Sequence, residues 1–142
     1  MKRRGADPAW LAILLLLGAS QLLAAQSPSE ATDPYHPSPR DTLDAVTYEG
    51  WKHFRLLCDR CHGEEARGTT FGPDLLPALR PDGAVPSLAA FIELMRTGRC
   101  DKGMPTAEML GLAPEHFDGL YRYLHGRSTG QLSGGRPARR EP

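Results

Sequence analysis

The chain has 142 residues, with 17 basic and 17 acidic side chains and a formal net charge of zero. This length leaves room for one domain of moderate size. The balanced charge and the lack of a basic patch argue against a nucleic-acid-binding protein.

The N-terminus predicts a secretory signal peptide over residues 1–25. A basic start at Lys2–Arg4 precedes the apolar run Trp10–Gly18, and small residues end at Ala25. A membrane anchor is the alternative interpretation, but the apolar run is short for a bilayer. We therefore expect export to the periplasm, with cleavage of the signal peptide and no stable membrane anchor.

Residues 26–43 predict a flexible linker, because Pro, Ser, Ala and Thr dominate and almost no large apolar side chain occurs there. From Asp44 to Leu57 the apolar spacing predicts a helix. A glycine inside a helix costs about 1 kcal/mol relative to alanine, so Gly50 indicates that another helix crosses close to its backbone. A weak position in a surface helix is the alternative. The inner face of the helix would carry Val46, Gly50, Trp51 and Phe54.

The segment Cys58-Asp59-Arg60-Cys61-His62 carries the strongest chemical signal. Two thiols at this spacing can each add across a vinyl group of a haem, and the histidine that follows can bind the iron. Structural zinc needs four soft ligands, and Cys100 is the only other cysteine. A redox dithiol would need a βαβ context that the Gly- and Pro-rich downstream sequence does not offer. The motif therefore predicts one covalently bound haem c with its iron.

Residues 63–86 predict an irregular loop, because Gly, Pro and Thr are frequent and no periodicity is sustained. A loop of this length in a compact domain usually wraps something, here the haem edge. Ser87 suits the N-cap of a short helix that ends at Gly98. Its apolar stripe would consist of Leu88, Phe91, Ile92 and Met95.

The C-terminal part predicts one more helix and a tail. Thr106–Leu112 would form a turn, and Pro114 would open a helix that ends at Gly126. The inward side chains of this helix would be Phe117, Leu120, Tyr121 and Leu124. The globular domain would therefore span residues 44–127, followed by a basic flexible tail at residues 128–142 that is disordered or pinned along the surface.

A second iron ligand is needed if the haem is to shuttle electrons. Met104 is the preferred candidate, because Gly103 and Pro105 fix an irregular loop that can aim a thioether at the face opposite His62. Thiolate ligation by Cys100 on the same loop is a further possibility. The less favoured candidates are Met95 in a helical stripe, Met109 in a turn, and the histidines His53, His116 and His125.

The pattern resembles that of the small, single-haem class I c-type cytochromes over Tyr48–Leu124. The resemblance rests on Gly50 and Phe54 before the haem motif and on the Gly-Pro-x-Leu sequence at Gly72–Leu75. It implies an all-α fold of three to five helices around one haem. It also implies that Gly50 and Phe54 cross Tyr123 of the last helix and that the Pro73 carbonyl accepts a hydrogen bond from His62.

A narrower resemblance is to periplasmic cytochromes c550 that take electrons from quinoprotein, pyrroloquinoline-quinone-dependent alcohol dehydrogenases. The residues behind it are Tyr48–Trp51, Lys102–Pro105, Gly126–Ser128 and Gly134–Pro137. It implies a monomeric electron carrier, not an enzyme, with a quinoprotein dehydrogenase as donor and an oxidase or another cytochrome as acceptor. The alternatives are a subunit held in a dehydrogenase or oxidase complex and a haem enzyme or sensor with an open iron site.

Overall fold

The computed structural model describes residues 41–141, so the predicted signal peptide and residues 26–40 of the predicted linker lie outside the described part. Helix α1 spans Ala45–His53 and continues through a π-helical turn, Phe54–Cys58, into α2 at Asp59–His62. Helix α3 spans Leu88–Thr97. Helix α4, Phe117–Ser128, follows the 3-10 turn Pro114–His116. Two short strands, β1 at Thr42–Leu43 and β2 at Ala138–Arg139, pair in parallel. The all-α prediction is confirmed.

Asp44 is the N-cap of helix α1. One carboxylate oxygen of Asp44 accepts hydrogen bonds from the amides of Val46 and Thr47, each at 3.0 Å. The expectation that Val46 faces the core is wrong, because its side chain is 47% exposed. The buried face of the helical run is formed by Thr47, Gly50 and Phe54, one turn and two turns apart.

Helices α1 and α4 cross at a pair of glycines. A Cβ atom on Gly50 would overlap the carbonyl oxygen of Gly119, and a Cβ on Gly119 would lie 2.5 Å from the carbonyl oxygen of Val46. The predicted close crossing at Gly50 is therefore confirmed, and its partner is a glycine of α4. One turn further on, the rings of Phe54 and Tyr123 pack with their centroids 5.5 Å apart.

The loop of residues 63–86 has no helix or strand, as predicted, yet it is part of the core. Backbone hydrogen bonds hold it, among them Gly68 N to His62 O at 2.8 Å and Leu75 N to Ala66 O at 2.9 Å. It contributes the buried side chains of Leu76, Leu79 and Val85.

Helix α3 forms as predicted. The Ser87 hydroxyl accepts a hydrogen bond from the amide of Ala90 at 3.2 Å, and the helix ends at Gly98, whose φ is +63°. Phe91 and Met95 are its buried residues.

The end of α4 differs from the prediction. The helix continues through Gly126 to Ser128, so this glycine does not terminate it. A Cβ atom on Gly126 would lie 2.8 Å from side-chain carbons of Leu132. A glycine is therefore needed at this position, because Leu132 of the C-terminal segment packs against the helix here.

The C-terminal tail is pinned along the surface, which is one of the two alternatives that the sequence left open. In β2 and its flanks, Ala138 N donates to Asp41 O and Arg140 N donates to Leu43 O, each at 2.7 Å. The amide of Ser133 donates to a carboxylate oxygen of Asp41 at 2.6 Å. Backbone pairing of this kind depends little on side-chain hydrophobicity, so composition could not reveal it.

Between Asp41 and Glu141, no helix is both long enough and apolar enough to span a membrane.

Candidate haem site

A cavity of about 400 Å³ opens between the α1–α2 run, the loop of residues 63–86, α3, α4 and the segment that follows α3. Its volume is in the range of cofactor and ligand sites in proteins. The walls are mainly apolar, which suits a porphyrin ring and excludes water from its faces. The large apolar side chains that line it include Leu57, Leu75, Val85, Phe91, Leu94, Met95, Leu120 and Leu124.

Both cysteines of the motif border this cavity. Cys58 ends the π-helical turn and is half-buried, whereas Cys61 in α2 is exposed. Burial raises the pKa of the Cys58 thiol to about 12, and the charges of Asp59 and Cys61 act in the same direction. A reactive dithiol depends on a lowered thiol pKa, so this environment disfavours the redox-dithiol interpretation.

His62 also lines the cavity, and its ring orientation is fixed from behind. Its Nδ1 lies 2.9 Å from the carbonyl oxygen of Pro73, which is the contact that the family resemblance implies. Because a carbonyl oxygen only accepts, Nδ1 carries the proton and Nε2 keeps its lone pair for a metal.

The approach of Pro73 to His62 depends on a glycine. A Cβ atom on Gly72 would lie 2.8 Å from the carbonyl oxygen of Cys61 and 3.1 Å from Nδ1 of His62. Nearby, the Thr69 hydroxyl donates to the same Cys61 carbonyl at 2.5 Å. The loop therefore clamps the end of α2 through contacts that the sequence motif alone does not show.

Met104 lines the cavity from another segment and is half-buried. Its backbone closes a small hairpin with Arg99, since Arg99 N donates to Met104 O at 2.9 Å and Met104 N donates to Arg99 O at 3.0 Å. Gly103 allows the turn with a φ of +82°. The structure thus brings Met104 to the same cavity as Cys58, Cys61 and His62.

The rival ligands lie elsewhere or are used in packing. Met109 is 71% exposed and does not line the cavity. Met95 borders it but is 3% exposed within the buried stripe of α3. Cys100 is exposed and does not border the cavity. The three other candidate histidines, His53, His116 and His125, do not line it either.

Those histidines have other contacts. The rings of His53 and His116 stack with centroids 4.1 Å apart, and His125 packs on Tyr121 at 5.3 Å. His116 and His125 are half-buried. These packing roles leave Met104 as the side chain that best matches a second axial ligand.

One buried residue near the site has a role that motif reasoning did not assign. The Arg127 guanidinium, whose side chain is 4% exposed, donates to Glu65 Oε2 at 2.8 Å and to the Ser133 carbonyl at 3.0 Å. It therefore joins the loop that follows His62 to the C-terminal segment. Arg127 belongs to the Gly126–Ser128 segment of the narrower resemblance, and that resemblance is the sequence signal that could have pointed to a role for this residue.

The residues present fit a covalently held haem. Two thiols, one oriented imidazole and one thioether border a single apolar cavity, and each is a group that haem attachment or iron ligation requires.

Comparison with known proteins supports this conclusion. No family model matches the chain. Cytochrome c-555 of Methylococcus capsulatus is 34% identical over 94 residues, which cover 66% of this chain and 72% of that protein. The chain belongs to the c-type cytochromes. Such proteins carry covalently bound haem c with its iron.

Two further relatives are longer than this cytochrome. Cytochrome c-553I of Paracoccus denitrificans is 29% identical over 119 residues, or 80% of this cytochrome and 51% of the relative. The crystal structure of the c-type cytochrome XoxG from Methylobacterium extorquens AM1 superposes with a TM-score of 0.61 and 25% identity. The superposed region covers 72% of this cytochrome and 63% of the XoxG chain. This cytochrome thus spans about half of c-553I and less than two thirds of XoxG.

Proposed function

We propose that this cytochrome is a monohaem electron carrier of the periplasm with the following site. Cys58 and Cys61 form the thioether bonds to haem c, and His62 and Met104 bind its iron from opposite faces. The observation that carries the proposal is the convergence of these four side chains on one apolar cavity. In this arrangement the haem iron supplies a one-electron couple.

The protein's own groups determine how that couple behaves. Pro73 accepts the Nδ1 proton of His62, which fixes the ring and increases its basicity as a ligand. A thioether from Met104 favours the reduced iron relative to a second imidazole, so it raises the midpoint potential. The apolar walls keep water from the iron, which also favours the state of lower charge.

Electrons would enter and leave at the edge of the haem near the cysteines and the Met104 loop. Cys61 is exposed, and Phe71, which also lines the cavity, is 83% exposed. An open edge with an apolar side chain suits the small, transient interfaces of redox partners. We infer that this monomer meets its donor and acceptor one at a time at this edge.

The donor that we propose is a quinoprotein, pyrroloquinoline-quinone-dependent alcohol dehydrogenase, and the acceptor an oxidase or another cytochrome. The support is that the segments of the narrower resemblance take part in specific contacts. Tyr48 and Trp51 pack with ring centroids 5.2 Å apart. Arg127 donates to Glu65 Oε2 at 2.8 Å and the amide of Gly135 donates to Glu65 Oε1 at 2.8 Å, so Glu65 joins Gly126–Ser128 to Gly134–Pro137.

The two alternative functions have less support. A subunit docked through a free basic tail is disfavoured, because the tail backbone pairs with β1 of its own chain. An enzyme or sensor with an open iron site is disfavoured by the position of Met104 at the cavity.

The ligand assignment is tested with Met104→Ala and, as a matched control, Met109→Ala at an exposed methionine outside the cavity. We expect Met104→Ala to retain covalent haem, lose the sulfur-to-iron charge-transfer band, have a lower midpoint potential and bind carbon monoxide readily when reduced. Met109→Ala should behave as the unmodified protein. Carbon monoxide binding by the unmodified ferrous protein, without denaturant, would contradict a closed iron site.

The partner assignment is tested by stopped-flow reduction of the purified holoprotein against a panel of periplasmic dehydrogenases. A quinoprotein alcohol dehydrogenase should reduce it much faster than flavin- or nicotinamide-dependent enzymes do, and the rate should fall as ionic strength rises. Equal rates across the panel would contradict the proposed donor. Purification as a salt-resistant complex would favour the subunit alternative.

A further inference from the structure

Two cationic side chains border the haem cavity. Arg99 and Lys102 both line it. Over residues 41–141, no Asp or Glu lies at ion-pair distance from either cation. Asp74 also borders the cavity, but its Oδ1 accepts the Leu76 amide at 2.8 Å. A positive charge at the rim of an apolar cavity is favoured by an anion placed beside it.

The two cations occupy fixed positions on the hairpin that carries Met104. Arg99 exchanges two backbone hydrogen bonds with Met104, at 2.9 and 3.0 Å. The amide of Lys102 donates to the Arg99 carbonyl at 2.8 Å, within the 3-10 turn Cys100–Lys102. Both residues are solvent-exposed on their outer side, as expected at the mouth of the cavity. An anion bound by these two side chains would therefore also restrain the Met104 loop, because both residues are hydrogen-bonded within it.

We propose that Arg99 and Lys102 bind the propionate groups of the haem and so fasten the Met104 loop to the ring. The propionates are the carboxylates of haem, and the guanidinium fork suits a carboxylate while the lysine ammonium acts as a compact charge. The proposal rests on haem occupying this cavity as in the proposed function. Both side chains are positioning residues, because they act on the iron through the propionates and the loop.

This pairing has a consequence for the redox couple. Neutralising propionate charge near the iron favours Fe(II), which carries one positive charge less than Fe(III). Loss of Arg99 or Lys102 should therefore favour the oxidised state and lower the midpoint potential. A cation on a nearby surface that does not line the cavity should have a smaller effect, since water and salt screen it.

The test is a redox titration of four holoprotein variants. Arg99→Gln and Lys102→Gln remove the two charges, Arg99→Lys keeps the charge, and Arg96→Gln is the matched control. Arg96 is exposed in the last turn of α3, three residues before Arg99, and does not line the cavity. We expect Arg99→Gln to shift the ratio of oxidised to reduced protein about tenfold, which is 59 mV for a one-electron couple. Lys102→Gln should shift it less, Arg99→Lys should recover most of the shift, and Arg96→Gln should change it by less than about twofold.

The proposal is overturned if Arg99→Gln and Lys102→Gln shift the potential no more than Arg96→Gln does, or if Arg99→Lys recovers nothing. Should Arg99→Gln yield no holoprotein, Lys102→Gln against Arg96→Gln decides, because Lys102 lies in an exposed turn. These outcomes are distinct from failure of the proposed function. That failure would appear in the unmodified protein as missing covalent haem or the absence of a reversible one-electron couple.

Discussion

The two sides of the haem cavity are built differently. On the attachment side, α2 and the following loop are held by close backbone approaches at Gly72 and by hydrogen bonds from the side chains of His62 and Thr69. On the methionine side, two backbone hydrogen bonds between Arg99 and Met104 close the small hairpin that carries Met104. The attachment side is therefore a packed part of the core, whereas the methionine side is a small loop that can open at lower cost.

The largest effect is expected from removing the attachment side altogether. Cys58→Ala with Cys61→Ala should give a chain with no covalent haem and no stable tertiary fold, because the small helical core is built round the ring. Intact mass and near-ultraviolet circular dichroism would measure both losses. Cys100→Ala is the control and should leave haem content unchanged, since Cys100 does not line the cavity. A folded double variant without haem would show that the core does not need the ring.

A smaller but severe effect is expected at the helix crossing behind the attachment side. Gly50→Ala places a methyl group against the backbone of Gly119, where no flexible side chain can yield. We expect the free energy of unfolding to fall by about 3 kcal/mol or more, measured by denaturant titration of the holoprotein. Val46→Ala, at an exposed position of the same helix, should change it by less than about 0.5 kcal/mol. Equal effects would contradict the close crossing.

A selective effect is expected on the methionine side from Gly98→Ala. Gly98 has a φ of +63°, and a Cβ there would lie 2.9 Å from the carbonyl oxygen of Met104. With a ψ of −164°, this backbone conformation is one that essentially only glycine adopts, and alanine in it costs about 1–3 kcal/mol. The strain falls at the point where α3 ends and the hairpin begins. Haem content should be unchanged, while ferrous protein should bind carbon monoxide faster than the unmodified protein. A variant with unchanged carbon monoxide kinetics would show that the two sides open equally.

The smallest effect is expected far from both sides, at the N-cap of α1. Hydrogen bonds from the Thr47 hydroxyl and amide lower the pKa of Asp44. A lowered carboxyl pKa stabilises the fold above the unfolded pKa of about 3.9, and this contribution is lost as pH falls through the folded pKa. Asp44→Ala should cost about 1 kcal/mol at pH 7, and Asp44→Asn less, because the amide oxygen still caps the helix. The difference between wild type and Asp44→Ala should shrink in acid; a constant difference would exclude the charge contribution.

The sequence predicted the attachment side better than the remainder. The Cys58–His62 motif, the glycine at position 50 and the N-cap at Ser87 each follow a local rule. The structure confirms the close crossing at Gly50 and the cap at Ser87, and the motif residues Cys58, Cys61 and His62 border the cavity. The rule for helix ends predicted that α4 stops at Gly126, but the helix continues to Ser128, and the close packing of Leu132 explains the glycine. The pairing of Thr42–Leu43 with Ala138–Arg139 joins segments that are remote in sequence through backbone groups, which no side-chain pattern records.

Proton NMR of the reduced holoprotein would show whether one haem lies between His62 and Met104. The methyl group of a methionine held against the haem face is shifted far upfield by the ring current of the porphyrin. We expect one such methyl signal in the unmodified protein and in Met109→Ala, and its loss in Met104→Ala. Persistence of the signal in Met104→Ala, or its absence from the unmodified protein, would show that Met104 does not bind the iron.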